Sequence, residues 1–238
     1  MVPPDCGDMD IRLVCFADAA AEACGAVIYA GVEISPGVYT SSVIAARSKL
    51  AKATIPRNEL TAIMLMTELA YIVKRALGSR VKEVIYVSYS MIALSWCSSL
   101  EKKLRLFVQN RVSTILRMVQ WTLALSDTDP LPLYHVDGGM NVADLLTKEH
   151  SITVKDISEG SLWQTGPAWL TLPVSAMPLK KYDQIFMKKE EETEALKECY
   201  SDPFMTSGEV DTLPSSGGLY AIKTTVDQPA PRILWTFL

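Results

Sequence analysis

Three acidic side chains interrupt the apolar stretches of the sequence at positions where a carboxylate could do chemistry. Asp18 follows an apolar run, and Glu59 and Asp144 each lie in the first turn of a predicted helix. Carboxylates at strand ends and helix starts converge at one edge of an open sheet. Converging carboxylates repel one another unless cations lie between them, and two magnesium ions about 4 Å apart catalyse phosphodiester hydrolysis in such sites. The spacing therefore favours an acidic metal site.

Each of these acids also has a simpler interpretation. An Asp after a strand forms turns or caps helices, and an acid in a first helical turn interacts favourably with the helix dipole. An unrelated α/β protein whose acidic residues are only caps therefore stays open at this point. In such a protein Asp18 and Glu59 would lie far apart.

Hydrophobic periodicity predicts the elements that would position the acids. Pro56 and Gly78 bracket a long amphipathic helix, whereas Ser90 and Asn141 are placed to cap two shorter ones. The pattern predicts strands over 11–17, 25–30, 38–46, 84–87 and 131–136, and helices over 58–77, 91–98, 103–121 and 142–148. This order favours an α/β fold with a mixed five-stranded sheet, a three-strand meander plus parallel strands, and helices on its faces.

Composition and charge divide the chain into regions. Residues 1–150 carry 15 basic and 15 acidic side chains, whereas residues 151–238 carry 8 and 12, so the net charge of −4 belongs to the C-terminal region. We expect a flexible lead-in over 1–10, one domain over 11–150, a packed irregular extension over 151–175, and an acidic, partly disordered tail over 176–238 that includes a charged helix at 188–197.

The remaining composition excludes several classes of site. The five cysteines form no CxxC pair, and His135 and His150 lack the spacing of zinc ligands. We therefore expect free thiols in a reducing compartment. With no signal segment and no apolar run of membrane-spanning length, the sequence predicts an intracellular protein, cytoplasmic or nuclear, without a membrane partner.

Six segments of the sequence resemble the ribonuclease-H-like domain of BEL/Pao-type LTR retrotransposon polyproteins. They occur in the order of that family and extend over roughly residues 11–175. The segments are FADAAAEACGAVIY (16–29), IAARSKLAKATIPRNEL (44–60), VSYSMIALSW (87–96), FVQNRVSTI (107–115), YHVDGGMNVADLLTK (134–148) and SLWQTGPAWL (161–170). The resemblance implies a ribonuclease-H-like fold and, as ancestral reaction, metal-dependent hydrolysis of the RNA strand of RNA/DNA hybrids.

The resemblance also assigns roles to individual residues. Asp18, Glu59 and Asp144 match three of the four metal-binding catalytic carboxylates of the family, with Mg²⁺ or Mn²⁺ as the implied cofactor. The expected fourth carboxylate is replaced by Tyr89. A neutral phenol is a poor magnesium ligand, so the substitution predicts weak or absent hydrolysis. The alternative is a non-catalytic remnant that binds nucleic acid or a protein partner.

Basic residues near the Glu59 helix and the 103–121 helix could contact the phosphates of nucleic acid. An alternative is that they form solvated helix faces. The implied partners are an RNA/DNA hybrid or another nucleic acid and other domains of the polyprotein. His135 lies within a predicted strand, which favours a structural role. The candidate phosphate contacts are Lys49, Lys52, Arg57, Lys102, Lys103, Arg105 and Arg111.

Overall fold

A computed structural model of the chain describes residues 10–98, 103–125, 131–147, 153–182 and 187–199. Its strands are β1 (Ile11–Ala19), β2 (Ala23–Ser35), β3 (Val38–Tyr39), β4 (Ser42–Leu50), β5 (Val81–Ser88), β6 (Leu133–His135) and β7 (Lys180–Lys181). Its α-helices are α1 (Ile55–Leu77), α2 (Met91–Ser98), α3 (Leu106–Leu123), α4 (Val154–Ile157), α5 (Leu162–Thr165) and α6 (Lys189–Leu196). None of the helices in these ranges is both long and apolar enough to cross a membrane.

The strands form one mixed sheet in the order β3-β2-β1-β5-β6-β7, with β4 also paired to β2. Strands β1, β2 and β4 form the predicted antiparallel meander, and β5 and β6 extend the sheet parallel to β1. Two strands that pair in parallel need a crossover connection between them, and α1 lies in the connection from the meander to β5. The predicted α/β architecture is therefore confirmed.

The number of strands differs from the prediction of five. The predicted third strand over 38–46 divides into β3 and β4, which pair with different parts of β2. The two residues of β7 add an antiparallel edge next to β6. Neither feature is visible in hydrophobic periodicity, because both depend on pairing between distant residues.

Strand β1 is buried on both faces, which accounts for its nearly continuous apolar sequence. Leu13 and Cys15 point into a core cluster shared with α1, α2 and α3. Val14 and Phe16 point into a second cluster on the opposite face, which includes Leu170 of the C-terminal extension. The sheet is thus covered on both sides.

Several residues at helix starts and ends have the roles that the sequence predicts. Pro56 lies in the first turn of α1, and Gly78 ends this helix with a positive φ of 66°. Ser90 caps α2, because its hydroxyl accepts a hydrogen bond from the Ala93 amide at 3.2 Å. The predicted last α-helix is instead a 3-10 helix, Val142–Leu146, capped by the Asn141 side chain. The predicted end of that helix, Lys148, lies outside the described residues.

Candidate active site

The C-terminal ends of three parallel strands meet at one edge of the sheet. Ala17 of β1 pairs with Ser88 of β5, and Ser88 pairs with His135 of β6. Asp18 and Tyr89 each follow one of these paired residues, so the fold brings them to the same edge.

Glu59 faces this edge from the second turn of α1, and both of its carboxylate oxygens accept hydrogen bonds. The Tyr89 hydroxyl donates to Oε1 at 2.6 Å, and the Ser90 hydroxyl donates to Oε2 at 2.6 Å. Glu59 is 8% exposed. Burial raises the pKa of this carboxyl group, and the negative charge of Glu191 raises it further, whereas the hydrogen bonds from Ser90 and Tyr89 lower it. The phenol of Tyr89 is therefore a direct partner of the helix carboxylate.

Asp18 also accepts hydrogen bonds at both of its carboxylate oxygens. The Asn141 side-chain amide donates to Oδ1 at 3.3 Å and to the carbonyl oxygen of Ala17 at 2.9 Å. The Thr147 hydroxyl donates to Oδ2. Sequence reasoning missed Thr147 and treated Asn141 only as a cap. The one available signal was that both residues flank the segment that carries Asp144.

Asp144 lies in the 3-10 helix between Asn141 and Thr147 and is partly exposed. The negative charge of Asp144 acts on the phenol of Tyr89. Burial raises the pKa of Tyr89, and the charges of Glu59, Asp18 and Asp144 raise it further, as does the hydrogen bond to Glu59. The phenol is therefore protonated at neutral pH, and all three predicted carboxylates lie within electrostatic range of it.

The donor set does not fit a magnesium site in this arrangement. Mg²⁺ prefers charged oxygens in octahedral geometry, whereas Tyr89 is neutral and the oxygens of Asp18 and Glu59 accept hydrogen bonds from hydroxyl and amide donors. Across the described ranges, no three His, Cys, Asp or Glu side chains are grouped so as to hold a metal ion. The predicted metal-binding role of Asp18, Glu59 and Asp144 therefore remains a prediction.

His135 lies beside this network at the end of β6. Burial lowers its pKa, as does the charge of Lys180, whereas the charges of Asp137 and Glu191 and a hydrogen bond with the Tyr89 backbone raise it. Its Nδ1 atom is buried and contacts no hydrogen-bonding partner in the part of the chain that the structure describes. The structural role expected for this residue stays a prediction.

The predicted phosphate contacts fall into two groups. Lys49, Lys52 and Lys103 are exposed to solvent. Arg57 and Arg111 are partly buried: the Arg57 guanidinium donates to Glu198, and the Arg111 guanidinium donates to the Thr61 hydroxyl at 3.0 Å. Both arginines lie over the ring of Phe107, at 4.8 and 3.4 Å from its centre.

Two residues of the predicted set remain. Arg105 precedes α3, and its backbone amide donates to the Glu198 carbonyl oxygen at 2.8 Å. Lys102 lies outside the described residues. Burial raises the pKa of the Cys24 thiol, the charges of Lys49 and Arg111 lower it, and the charge of Asp18 raises it, so two of the predicted contacts act on the same thiol as Asp18.

A three-strand antiparallel meander, two further parallel strands and acids at their C-terminal edge match the ribonuclease-H-like fold that the sequence predicts. Residues 2–90 match the family model of the Pao retrotransposon-like RNaseH-like domain. This match confirms the predicted resemblance for the segments at 16–29 and 44–60 and the start of the segment at 87–96. It includes Asp18, Glu59 and Tyr89 and ends before Asp144.

Solved ribonuclease H structures are also similar to this chain. The N-terminal RNase H domain of rv2228c from Mycobacterium tuberculosis is 15% identical, with 58% of this chain and 91% of that chain covered and a TM-score of 0.38. RNase H1 from Halobacterium salinarum is 13% identical, with 58% and 93% covered and a TM-score of 0.37. LC11-RNase H1 in complex with an RNA/DNA hybrid is 16% identical, with 58% and 93% covered and a TM-score of 0.39. The comparison with curated proteins gives no match.

Proposed function

We propose that this chain is a retroelement-derived ribonuclease-H-like domain whose ancestral reaction, metal-dependent hydrolysis of RNA in RNA/DNA hybrids, is impaired by Tyr89. The observation that carries the proposal is the hydrogen bond from the Tyr89 hydroxyl to Glu59 Oε1 at 2.6 Å. A protonated phenol lies where the family expects a fourth carboxylate, and it engages one of the remaining acids. Losing one metal ligand and engaging a second weakens metal binding at both positions.

The Ser90 hydroxyl adds to this effect. It holds the other oxygen of Glu59 at 2.6 Å and accepts the capping hydrogen bond of α2. A rotation of Ser90 away from Glu59 would therefore also disturb the start of α2. Both oxygens of Glu59 are therefore hydrogen-bonded to neighbouring side chains, which favours a structural role for this edge of the sheet.

Restoring the fourth carboxylate tests this proposal. Tyr89→Asp removes the bulky phenol and supplies a charged oxygen, so we expect Mg²⁺- or Mn²⁺-dependent cleavage of an RNA/DNA hybrid to rise roughly tenfold or more above the unsubstituted chain. Tyr89→Phe is the matched control, because it removes the hydroxyl without adding a ligand, and it should not gain activity.

Two further measurements separate restored catalysis from side effects. Adding Asp18→Asn to Tyr89→Asp should abolish the gained cleavage. Mg²⁺ should also raise the melting temperature of Tyr89→Asp, because a ligand that binds only the folded state stabilises it. The proposal is wrong if the unsubstituted chain already cleaves hybrid as well as Tyr89→Asp does and loses that cleavage on Asp18→Asn.

A second candidate function is nucleic-acid binding without hydrolysis. Exposed Lys49 and Lys52 and partly buried Arg57 and Arg111 flank the acidic edge, and basic side chains on one face can hold a phosphate backbone even in a neutral domain. Hybrid binding measured by fluorescence anisotropy in EDTA tests it. Affinity that falls steeply as salt is raised is the expected result, and no binding at low salt would contradict it.

A further inference from the structure

The acidic C-terminal segment Lys189–Cys199 packs directly beside the candidate nucleic-acid surface. Ala195 of α6 is 5% exposed and belongs to the core cluster on the helical face of the sheet. The Trp96 indole nitrogen donates to the Ala195 carbonyl oxygen at 3.0 Å, and Cys199 forms an isolated β-bridge with Leu104. These contacts fix the segment to α2 and to the residues that lead into α3.

The segment places one carboxylate on a predicted phosphate contact. Glu198 Oε1 accepts from Arg57 Nε at 2.8 Å, and Oε2 accepts from Arg57 Nη2 at 3.0 Å. The two side chains are only 22% and 14% exposed. The Arg57 guanidinium also lies over the Phe107 ring, so its orientation is fixed by packing. Arg57 therefore presents a planar, two-pronged donor to one anion.

A carboxylate and a phosphodiester can bind such a guanidinium in the same way. Each offers two oxygens that accept parallel N–H bonds from a guanidinium, which is why arginine binds both groups in bidentate fashion. The segment that supplies the carboxylate contains five glutamates and two lysines, a net charge of −3. Its local charge therefore resembles a short stretch of nucleic-acid backbone.

We propose that Arg57 forms a binding site for a backbone phosphate of nucleic acid, and that Glu198 occupies this site within the same chain. The acidic segment Lys189–Cys199 then competes with nucleic acid for the surface next to the candidate active site. This inference rests on the nucleic-acid binding suggested above and adds its regulation. Because the competing anion is tethered to the chain, nucleic acid has to displace it before a phosphate can contact Arg57.

The segment also acts electrostatically on residues at the acidic edge. The charge of Glu191 contributes to the raised pKa of Glu59, after burial, and also acts on His135. Glu191 is held in place by a capping hydrogen bond from the Lys188 amide at 2.9 Å. The segment therefore adds negative charge near Glu59 and His135.

A pair of charge-matched variants tests the competition. Glu198→Gln removes the carboxylate on Arg57, whereas Glu194→Gln removes an equal charge from a side chain that pairs with Lys197 of the same segment. With full-length protein and a labelled RNA/DNA hybrid in EDTA, we expect Glu198→Gln to lower the dissociation constant about fivefold. Glu194→Gln should change it less than about twofold. Equal changes in the two variants would overturn the inference.

The role of Arg57 is tested in the same assay. Adding Arg57→Gln to Glu198→Gln should remove the gain in affinity, because the released phosphate site is then lost. A double variant that keeps the full gain would show that Glu198 acts elsewhere. Melting temperatures of all variants report whether the segment remains folded.

Hydrogen exchange provides a second readout that does not depend on affinity. In the unsubstituted chain, saturating hybrid should raise the exchange rates of amides in α6 and of Arg105, whose amide donates to the Glu198 carbonyl oxygen. Bound hybrid with unchanged protection at these amides would contradict displacement while leaving nucleic-acid binding intact. If no variant binds hybrid at any salt, the binding function itself fails and the inference fails with it.

Discussion

Glu59 lies between two hydroxyl groups, and each of them forms a hydrogen bond with its carboxylate. Tyr89 and Ser90 each donate one hydrogen bond to it, and the same Ser90 oxygen caps α2. Each hydroxyl directs its proton at one carboxylate oxygen, so neither oxygen is available as a ligand in this arrangement. At the scale of single residues, both carboxylate oxygens of Glu59 are thus hydrogen-bonded, and the proposed loss of an acid at position 89 removes one source of charge repulsion from this edge.

The buried position of Glu59 predicts a pH-dependent effect on stability. Burial raises the pKa of this group above its ordinary value of 4.5, so the folded state favours the protonated carboxyl. The associated stability is fully present below the unfolded pKa and is lost as the pH rises through the folded pKa. Glu59→Gln does not titrate, and we expect it to raise the melting temperature by roughly 2 °C at pH 7.5.

The pH profile of that difference is the decisive measurement. The gain of Glu59→Gln over the unsubstituted chain should shrink as the pH falls towards 4.5 and vanish below it. The exposed Glu22→Gln is a suitable control, and its effect should remain near zero across the same range. A Glu59→Gln gain that is independent of pH would indicate a packing effect instead of a titration.

At the scale of elements, the 3-10 helix Val142–Leu146 lies so close to β2 that only glycine fits opposite it. Gly25 pairs with Asp18 in the sheet, and a Cβ atom added at Gly25 would lie 2.6 Å from Leu146 Cβ. The 3-10 helix carries Asp144 and is followed by Thr147, the hydroxyl donor to Asp18. The close approach therefore sets the position of one side of the candidate site.

Gly25→Ala should force the 3-10 helix away from the sheet. Overpacking against the Leu146 side chain costs about 1–3 kcal/mol, so we expect a loss of that size in the free energy of unfolding by urea. Gly139→Ala is the matched control, because a Cβ atom there meets nothing within 4 Å. A loss at Gly25 no larger than at Gly139 would mean that the 3-10 helix moves freely.

Local signals in the sequence predict elements well and long-range partners poorly. Periodicity and capping residues predict the elements that carry Asp18, Glu59 and Asp144, although Glu59 lies in the second turn of α1 instead of the first and Asp144 lies in a 3-10 helix. The role proposed for Tyr89 comes from the family resemblance. Thr147 and Glu198 have no such signal, since Thr147 is separated from Asp18 by 129 positions and Glu198 from Arg57 by 141. The charged sequence of α6 does not indicate contact with the core, because only the fold brings Ala195 into the core cluster.

At the scale of the whole molecule, the C-terminal extension completes the second core cluster. The Trp169 ring lies 5.7 Å from Phe16, and the Tyr29 hydroxyl donates to the Trp163 carbonyl oxygen at 2.9 Å. Arg12 of β1 donates to the Leu170 carbonyl oxygen at 2.6 Å. A chain without this extension would expose the apolar face of the sheet that Val14 and Phe16 form.

Leu170→Ala tests whether the extension and the sheet unfold together. Leu170 is 1% exposed, and truncating a fully buried leucine typically costs 2–5 kcal/mol, so we expect about 3 kcal/mol from urea unfolding. Leu172→Ala, at a side chain that is 40% exposed, should cost less than about 1 kcal/mol. One cooperative transition with a lower midpoint and an unchanged slope means that the sheet depends on the extension for its stability. A second, separate transition would mean that the extension unfolds alone, and the apolar face beneath it would then have to be stable in water.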